Sequence, residues 1–288
     1  MPALYLIDGS FELFRCYYGA PKVQRSDGHE VGAARGFYQT MASLLRDPAV
    51  THAAIAFDSM PSLQARDESD TKLIHAQYDM ALEVSRALGI TLWPMTTHVQ
   101  ADDALATAAH RFADDSALNE IVICSSDNDF AQCVRGQRVV VLNRIKNIRT
   151  DESGVLEKFG VLPERIPEYF ALVGDKSDGI PGVPGFGKKS AAAVIQRYGR
   201  MEDFPASGEL WDVEVRGLPK LVDMFVERRQ EALLYRNLSI RNLQVPLPDT
   251  LEDLQWCGAN RGKVEELSRQ LADPGILERT LRKWDDGV

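Results

Sequence analysis

No stretch of this chain is apolar for the eighteen or more residues that a bilayer crossing requires, and no signal-like segment opens it. A soluble, cytoplasmic protein with no membrane partner is therefore expected. Cysteine is scarce: Cys16, Cys124, Cys133 and Cys257 lack the paired spacing of a metal knuckle, and Cys124 lies in an apolar, strand-like run. They are expected to be reduced and mostly buried rather than paired. There is no internal repeat and no low-complexity tract. Positive charge is also in deficit, with a net charge of −9 and a pI of about 5.2, which argues against indiscriminate binding to nucleic acid. What is present is ordinary globular material. With 288 residues, 44% of them hydrophobic, the chain can form one large domain or two closely joined ones.

Against that background the placement of aspartate is informative. In ALYLIDGS and THAAIAFDS an apolar, β-prone run ends on Asp8 or Asp58, as a buried parallel strand does when it delivers a side chain to the carboxyl edge of a sheet. EIVICSSDNDF repeats the pattern with Asp127 and Asp129. In QADDALATAAHRF, Asp102 and Asp103 open an alanine-rich helix, where the dipole favours negative charge and neighbouring side chains point in different directions. A single aspartate in such a place is most often an N-cap or a turn residue. Four such places in one chain shift the balance towards a site for hard divalent cations, Mg²⁺ or Mn²⁺, which take oxygen ligands. No Ser, His or Cys nucleophile is needed for such chemistry, and His98 reads as a structural loop residue.

The stretch ALVGDKSDGIPGVPGFGKKSAAAVIQRYG adds Asp175 and Asp178, followed by Gly182, Gly185 and Gly187, which permit a tight hairpin. A helix follows over 187–198, its start flanked by Lys188 and Lys189. A helix-hairpin-helix of this kind points backbone N–H groups at a phosphate and reads backbone rather than bases. GVPGFG alone would be an ordinary turn; its coupling to GDKSD makes the phosphate reading the stronger one. Arg15, Arg35, Lys188, Lys189, Arg197, Arg200, Arg228 and Arg229 supply local positive charge, with Arg228 and Arg229 the best candidates for a merely solvated face. Tyr17 and Tyr18 suit either base stacking or core packing.

These pieces, in order, resemble the 5′ nuclease (flap endonuclease) family, in particular the 5′-3′ exonuclease domain of bacterial DNA polymerase I and its free-standing relatives. The matching segments are LIDGS with FRCYYGAP, GAARGFYQTMASLL, AIAFDS, VQADDALAT, ICSSDNDFAQCV, EKFGVLPERIPEYFALVGDKSDGIPGVPGFGKKSA and ALLYRNLSIRNLQVPLP, collinear over nearly the whole chain. The resemblance implies an α/β fold: a PIN-like parallel or mixed sheet flanked by helices, then a helical region with a helix-hairpin-helix of the H3TH type. It implies metal-dependent hydrolysis of branched, nicked or 5′-ended DNA by a monomer using two Mg²⁺ or Mn²⁺ ions, with K⁺ at the hairpin as an additional candidate. Carried over residue by residue, the metal carboxylates fall on Asp8, Asp58, Asp102, Asp103, Asp127, Asp129, Asp175 and Asp178. Arg15 becomes a catalytic phosphate contact, and Arg35, Arg66, Gly182, Gly185, Gly187, Lys188 and Lys189 join it in binding DNA.

Two departures stand out. The family motif Glu-Ala-Asp-Asp is here Gln100, Ala101, Asp102, Asp103. Gln keeps an oxygen acceptor but loses a charge, so weaker metal binding is expected. After Asp58 the family continues into a helical arch carrying Arg, Tyr-Lys and a second Arg, whereas this chain reads SMPSLQARDESDTKLIHAQYDMALEV and is roughly ten residues shorter. Arg66 is the stand-in for the first Arg. Lys72 reads as the exposed start of a helix capped by Asp70. A more open cleft is expected.

The element order expected is strand 3–8, helix 32–46, strand 53–57, helix 71–88, strand 90–93, helix 102–113, strands 120–124 and 138–142, an alternation that builds a parallel sheet covered by helices. From Asp151 the pattern is helical, over 163–173, 187–198, 219–235 and 261–271, so 1–150 and 151–288 are taken as the nuclease core and the DNA-binding region. Leu243 to Asp249 reads as an extended crossing segment, and 250–288 as helical packing. Two other classes of function are weighed: a structure-specific DNA-binding protein that has lost turnover, suggested by Gln100 and the missing arch cations, and a haloacid-dehalogenase-like phosphatase with Asp8 as nucleophile. The latter wants a second Asp two residues on, where this chain has Ser10.

Overall fold

The computed structural model describes residues 2–207, 210–277, 281 and 283–285. Its contacts divide the chain into two compact units, Met1–Ser126 with Asn242–Val288, and Asp127–Arg241. The C-terminal segment thus packs with the N-terminal half, a grouping that the expected division at 150 does not contain.

The first unit is built on four parallel strands. β1 (Ala3–Asp8) is buried at every position, and it is flanked by β2 (Val50–Phe57) on one side and β4 (Glu120–Cys124) on the other. β3 (Thr91–Pro94) pairs with β2, which gives the order β3-β2-β1-β4. Strands buried on both faces cannot alternate polar and apolar residues, which is why LYLI, AAIAF and IVIC read as continuous apolar runs. The order reverses at β1, so the crevice at the carboxyl end of β1 is the topological switch point, where open α/β sheets place ligands. Asp8 is the residue at that end.

The helices of this unit are α1 (Gly9–Gly19), α2 (Gly32–Leu45), α3 (Glu68–Ala87) and α4 (Ala101–Phe112). α1, α2 and α3 pack on one another, and α4 lies over β1 and β2 with Ala101, Ala104, Ala108 and Ala109 buried. Its small side chains allow that close approach. The expected helix at 71–88 begins earlier, and its N-cap is Asp67, whose carboxylate accepts the Ser69 N–H at 2.7 Å, not Asp70. Asp70 is engaged elsewhere, by the hydroxyls of Tyr17 at 2.7 Å and Tyr18 at 3.1 Å. Lys72 lies one turn into α3, paired with Glu68 at 2.8 Å on the exposed face.

The returning segment packs back on α4 as an extended strap. The Thr107 hydroxyl donates to the Asn242 carbonyl at 3.0 Å and accepts from the Val245 N–H at 3.2 Å, while Trp93 Nε1 donates to Asp249 at 2.7 Å. Beyond it, α10 (Arg261–Gln270) is accompanied by a short parallel pair, β7 (Ala259–Asn260) and β8 (Trp284–Asp285), so the tail is not wholly helical. Cys16 and Cys124 are buried as expected, Cys133 is half-buried and Cys257 is exposed, and among the described residues no disulfide joins them.

The second unit begins with a 3₁₀ segment, Asn128–Cys133, and an antiparallel hairpin of β5 (Val139–Asn143) and β6 (Ile148–Thr150). Helices follow: α5 (Glu152–Phe159), α6 (Ile166–Val173), α7 (Lys188–Tyr198), α8 (Leu218–Glu227) and α9 (Arg229–Ser239). The single helix expected at 219–235 is in fact two, because Arg228 leaves helical geometry at φ −108°, ψ 18°. Its neighbour Arg229 then donates to the carbonyls of Met201, Glu202 and Phe204. Phe204, Trp211 and Phe225 form an aromatic cluster with Tyr198 in this unit's core. Among the described residues no helix is long and apolar enough to span a membrane.

Candidate active site

In the first unit Asp8, Asp58 and Asp103 each sit where the local chain requires a hydrogen-bond acceptor. Asp8 caps α1 by accepting the Phe11 N–H at 2.9 Å, and its second oxygen accepts from the Ser125 hydroxyl at 2.9 Å, just past β4. Asp58 Oδ1 accepts the Ala101 N–H at 2.9 Å, so the residue after β2 caps α4 from outside that helix. Its own N–H donates to Ser10 Oγ at 2.8 Å. Asp102 and Asp103 occupy the first turn of α4. Asp103 accepts the Asn242 N–H at 3.0 Å, which turns it towards the returning strap. These backbone contacts fix the orientation of Asp8, Asp58 and Asp103.

The second unit gathers Asp127, Asp129 and Asp178 about a single basic group. Nη2 of Arg241 lies 2.7 Å from Asp129 Oδ2, 3.4 Å from Asp127 Oδ2 and 3.5 Å from Asp178 Oδ2. Asp127 caps the 3₁₀ segment by accepting the Asp129 N–H at 3.0 Å. Asp129 is 1% exposed, and its other oxygen, Oδ1, is buried without a hydrogen-bond partner. Burial raises its carboxyl above the ordinary carboxylate range, to about 8, and the charges of Asp127 and Asp178 add to the rise although Arg241 opposes it. Asp127 is raised as well, by burial first. Asp175 accepts the Ser177 N–H at 2.8 Å in a tight turn. Among the described residues, no group of three His, Cys, Asp or Glu side chains is drawn together as metal ligands. The donors are nonetheless all oxygen, one of them orphaned, and the cluster is short of positive charge, which suits a hard divalent cation.

The hairpin has the geometry its glycines imply, with one exception. Between α6 and α7, Asp175 and Ile180 exchange backbone hydrogen bonds at 2.9 and 2.7 Å, and the Val183 N–H returns to Leu172 O at 2.8 Å. Gly182 has φ +77°, and a Cβ there would lie 2.5 Å from Gly174 N, so no other residue fits. Gly185 is also at positive φ, +93°. Gly187, by contrast, is extended at φ −114° with open space around it; it serves as the N-cap of α7, its N–H donating to Ser190 Oγ at 2.9 Å. Lys188 and Lys189 follow, both exposed, and the first turn of α7 carries no acidic residue. Two cations at a helix N-terminus run against the helix dipole, an arrangement that an anion would relieve.

The arginines expected to face DNA are largely engaged within the protein. Arg15 pairs with buried Glu12 at 3.3 Å and donates to Thr40 at 3.2 Å. Arg35 pairs with buried Asp273 at 3.3 Å and reaches the Ala272 carbonyl at 3.4 Å, so it anchors the C-terminal segment to α2. Arg197 is paired with Asp212 and Arg228 with Glu231. Arg66 lies ahead of α3. Tyr17 is core and Tyr18 is 59% exposed, which separates the two roles left open for them. Ser59 to Asp67 contains only a 3₁₀ turn at Met60–Ser62, held to α3 by the Ala65 N–H on Thr71 Oγ1 at 2.9 Å and by His75 Nε2 on the Leu63 carbonyl at 2.8 Å.

Two family models account for nearly the entire described chain. Residues 3–160 match the 5′-3′ exonuclease N-terminal resolvase-like domain, and residues 161–262 match the 5′-3′ exonuclease C-terminal SAM fold. The chain belongs to the 5′-3′ exonuclease family. DNA polymerase I of Pseudomonas aeruginosa is 33% identical over 97% of this chain, and the 5′-3′ exonuclease of Aquifex aeolicus is 29% identical over 86% of it. The chain spans 31% of the former's length and 89% of the latter's. Among solved structures, the bacteriophage T5 flap endonuclease, determined as a pseudo-enzyme-product complex with DNA and metal ions, superposes with a TM-score of 0.64 at 18% identity. That match covers 96% of this chain and 98% of the T5 chain. The catalytic core of Rad2, in complex with a DNA substrate, gives 0.62 at 14% identity over 96% and 90%. The fold shared with these nucleases is the mixed α/β resolvase-like domain followed by a helical SAM-like one, in agreement with the PIN-like core and hairpin region expected from sequence.

Arg241, Ser125 and Ser10 contact the candidate acids and were missed by sequence reasoning. Ser10 and Ser125 lie inside the quoted LIDGS and CSSD motifs, next to the acids they contact. Arg241 lies 112 residues from Asp129 and carries no local signal.

Proposed function

We propose that this chain is a structure-specific 5′ nuclease, a cytoplasmic monomer that hydrolyses phosphodiesters of branched, nicked or 5′-ended DNA with two Mg²⁺ or Mn²⁺ ions. The observation that carries the reading is the set of acids fixed by backbone contacts: Asp8 at the switch point, Asp58 on the N-terminus of α4, and Asp127 and Asp129 around the buried, unpartnered Oδ1. Asp8, Asp58, Asp102 and Asp103 in the first unit, and Asp127, Asp129, Asp175 and Asp178 in the second, are the residues that would hold the ions. When bound, such ions activate water and stabilise the leaving oxygen. The protein's own share is to hold acids rigidly and to grip the phosphate backbone at the hairpin, where carbonyls between Gly182 and Gly187 are candidates for K⁺. The decisive experiment is cleavage of 5′-labelled flap, nicked and blunt duplexes with Mg²⁺ and with Mn²⁺. Retained binding to these DNAs with no cleavage in either metal would favour the binding-only reading that Gln100 suggests.

Changing Lys188 and Lys189 together to alanine is expected to weaken DNA binding alike for all sequences and to lower the slope of log affinity against log salt by roughly two, because each neutralised phosphate contributes about one unit. Affinity that stays unaltered at low and moderate salt would remove the hairpin from the DNA interface.

The short Ser59–Asp67 segment makes a separate prediction. With one 3₁₀ turn in place of an arch, nothing in this segment forms a portal through which a free 5′ end must thread. A bulky adduct on the 5′ end should slow cleavage of a flap by no more than about twofold, a barrier change of well under ~1 kcal/mol. Complete protection by the adduct would show that a closed gate exists.

A further inference from the structure

Three lysines of the second unit differ from the arginines described above. Arg15, Arg35, Arg197 and Arg228 each have an acid for a partner, whereas among the described residues Lys146, Lys158 and Lys188 have none. All three are exposed. The elements that carry them are neighbours. α5 packs on β6 at one side, and Lys146 lies in the turn just before β6. At its other end α5 meets α7: a Cβ on Gly160 would lie 2.9 Å from Ala192 Cβ, and Gln196 Nε2 donates to the Gly160 carbonyl at 2.5 Å. Ala192 and Gln196 follow Lys188 by four and eight residues, so Lys188 opens the stripe of α7 that faces α5. Lys158, in the last turn of α5, donates from Nζ to Asn128 Oδ1 at 2.5 Å, and Asn128 is the residue between Asp127 and Asp129.

We propose that Lys146, Lys158 and Lys188 form a phosphate-binding track, running from the start of α7 past the end of α5 to the β5–β6 turn, that takes the phosphodiester backbone of DNA. This rests on the nuclease reading above and deepens it, since the track extends the grip of the helix-hairpin-helix to the residue between two of the candidate acids. The physical basis is uncompensated charge in a chain whose net charge is −9. Loss of surrounding water, and then the positive charges of Lys146 and Lys188, hold the Lys158 ammonium below the ordinary lysine range. The dipole of α5 accounts for a cation at Lys158, but Lys188 stands against the dipole of α7 and Lys146 is on no helix, so helix electrostatics does not explain the group. An anion satisfies all three. The Lys158 contact also occupies the oxygen of the Asn128 amide, which leaves its Nδ2 as a further donor to a phosphate oxygen. Ammonium groups act as point charges, so the track reads backbone and not bases.

The test is binding of the full chain to a fluorescent 5′-flap DNA and to a blunt duplex over a range of salt concentrations, without divalent metal so that nothing is cleaved. Lys158→Met keeps an unbranched stem against the Phe159 ring and removes the charge. It is expected to lower the slope of log affinity against log salt by roughly one, as is Lys146→Met, alike for different sequences. Lys158→Arg, which keeps the charge, should retain the parent's slope. Lys72→Met removes an exposed lysine of the first unit that is already paired with Glu68, and it should leave the slope unchanged. If Lys158→Met does not fold, Lys146→Met, at the exposed turn of the hairpin, decides. A parent-like slope in either folded variant, or an equal fall in Lys72→Met, would overturn the track; the nuclease reading would survive if the parent still cleaves flap DNA. A parent that binds neither DNA at any salt concentration would overturn both.

Discussion

Replacing Asp127 by asparagine is expected to reduce DNA cleavage roughly 100-fold or more, as loss of a preorganised charge at a reacting phosphate does, while the protein stays folded and no less stable. The structure separates the two effects. Asn keeps the Oδ1 acceptor that caps the 3₁₀ segment through the Asp129 N–H, so the turn is retained. It removes a carboxylate whose ionisation burial already opposes and which is repelled by Asp178 and Asp175. Loss of the longer contact to Arg241, at 3.4 Å, is the opposing cost, and the closer one to Asp129 at 2.7 Å remains. Asp8→Asn follows the same logic in the first unit, since the amide can still cap α1 and can donate to Ser125 Oγ in place of accepting from it. Melting temperature and a flap-cleavage time course on the same preparations check the prediction. Parent-like cleavage by Asp127→Asn would show that the site has been assigned to the wrong residues.

The acids are legible in the sequence because each marks the end of a structural element. A buried parallel strand is an apolar run, and the residue that ends it is at the carboxyl edge of the sheet, so LYLID and AIAFD locate Asp8 and Asp58 without tertiary information. α4 and α7 are legible for a related reason, since alanine-rich runs with clear starts leave little choice. Other elements are hidden by competing local signals. α1, GSFELFRCYYG, is rich in aromatic and β-prone residues, and its helical form depends on the Asp8 cap and on packing against α2. α5 is eight residues long with Gly154 inside it, and it is held by Asp151 at one end and by Gly160 in the left-handed region at the other. The break at Arg228 has no Gly or Pro to announce it; it follows from the engagement of Arg229 with three carbonyls on another segment. The pairings of Arg15 with Glu12 and of Arg35 with Asp273 leave no trace in the sequence for the same reason that Arg241 gives no local signal. Whether a cation faces solvent, a buried acid or a ligand is decided by partners far along the chain, and spacing carries no record of them.

Restoring the acid that Gln100 lacks should change metal dependence more than structure. Gln100 is the N-cap residue of α4, with extended backbone at φ −83°, ψ 147°, and its side chain does not cap the helix. That task falls to Asp58, through the Ala101 N–H. A glutamate at this position would enter the positive end of the helix dipole, which favours it, and would bring a further negative charge beside Asp58, Asp102 and Asp103, which does not unless a cation is present. The two effects nearly cancel in the metal-free protein, whereas with an ion bound both are favourable. Gln100→Glu is therefore expected to leave the metal-free melting temperature within about two degrees and to lower the Mg²⁺ concentration for half-maximal cleavage about tenfold, equivalent to ~1.4 kcal/mol of added binding. Mg²⁺ titrations of cleavage, paired with Mn²⁺ binding measured directly, separate a gain in occupancy from a gain in chemistry. An unchanged half-saturation in both measurements would mean that Gln100 does not sense the ion, and that the loss of charge there is without consequence for the metal.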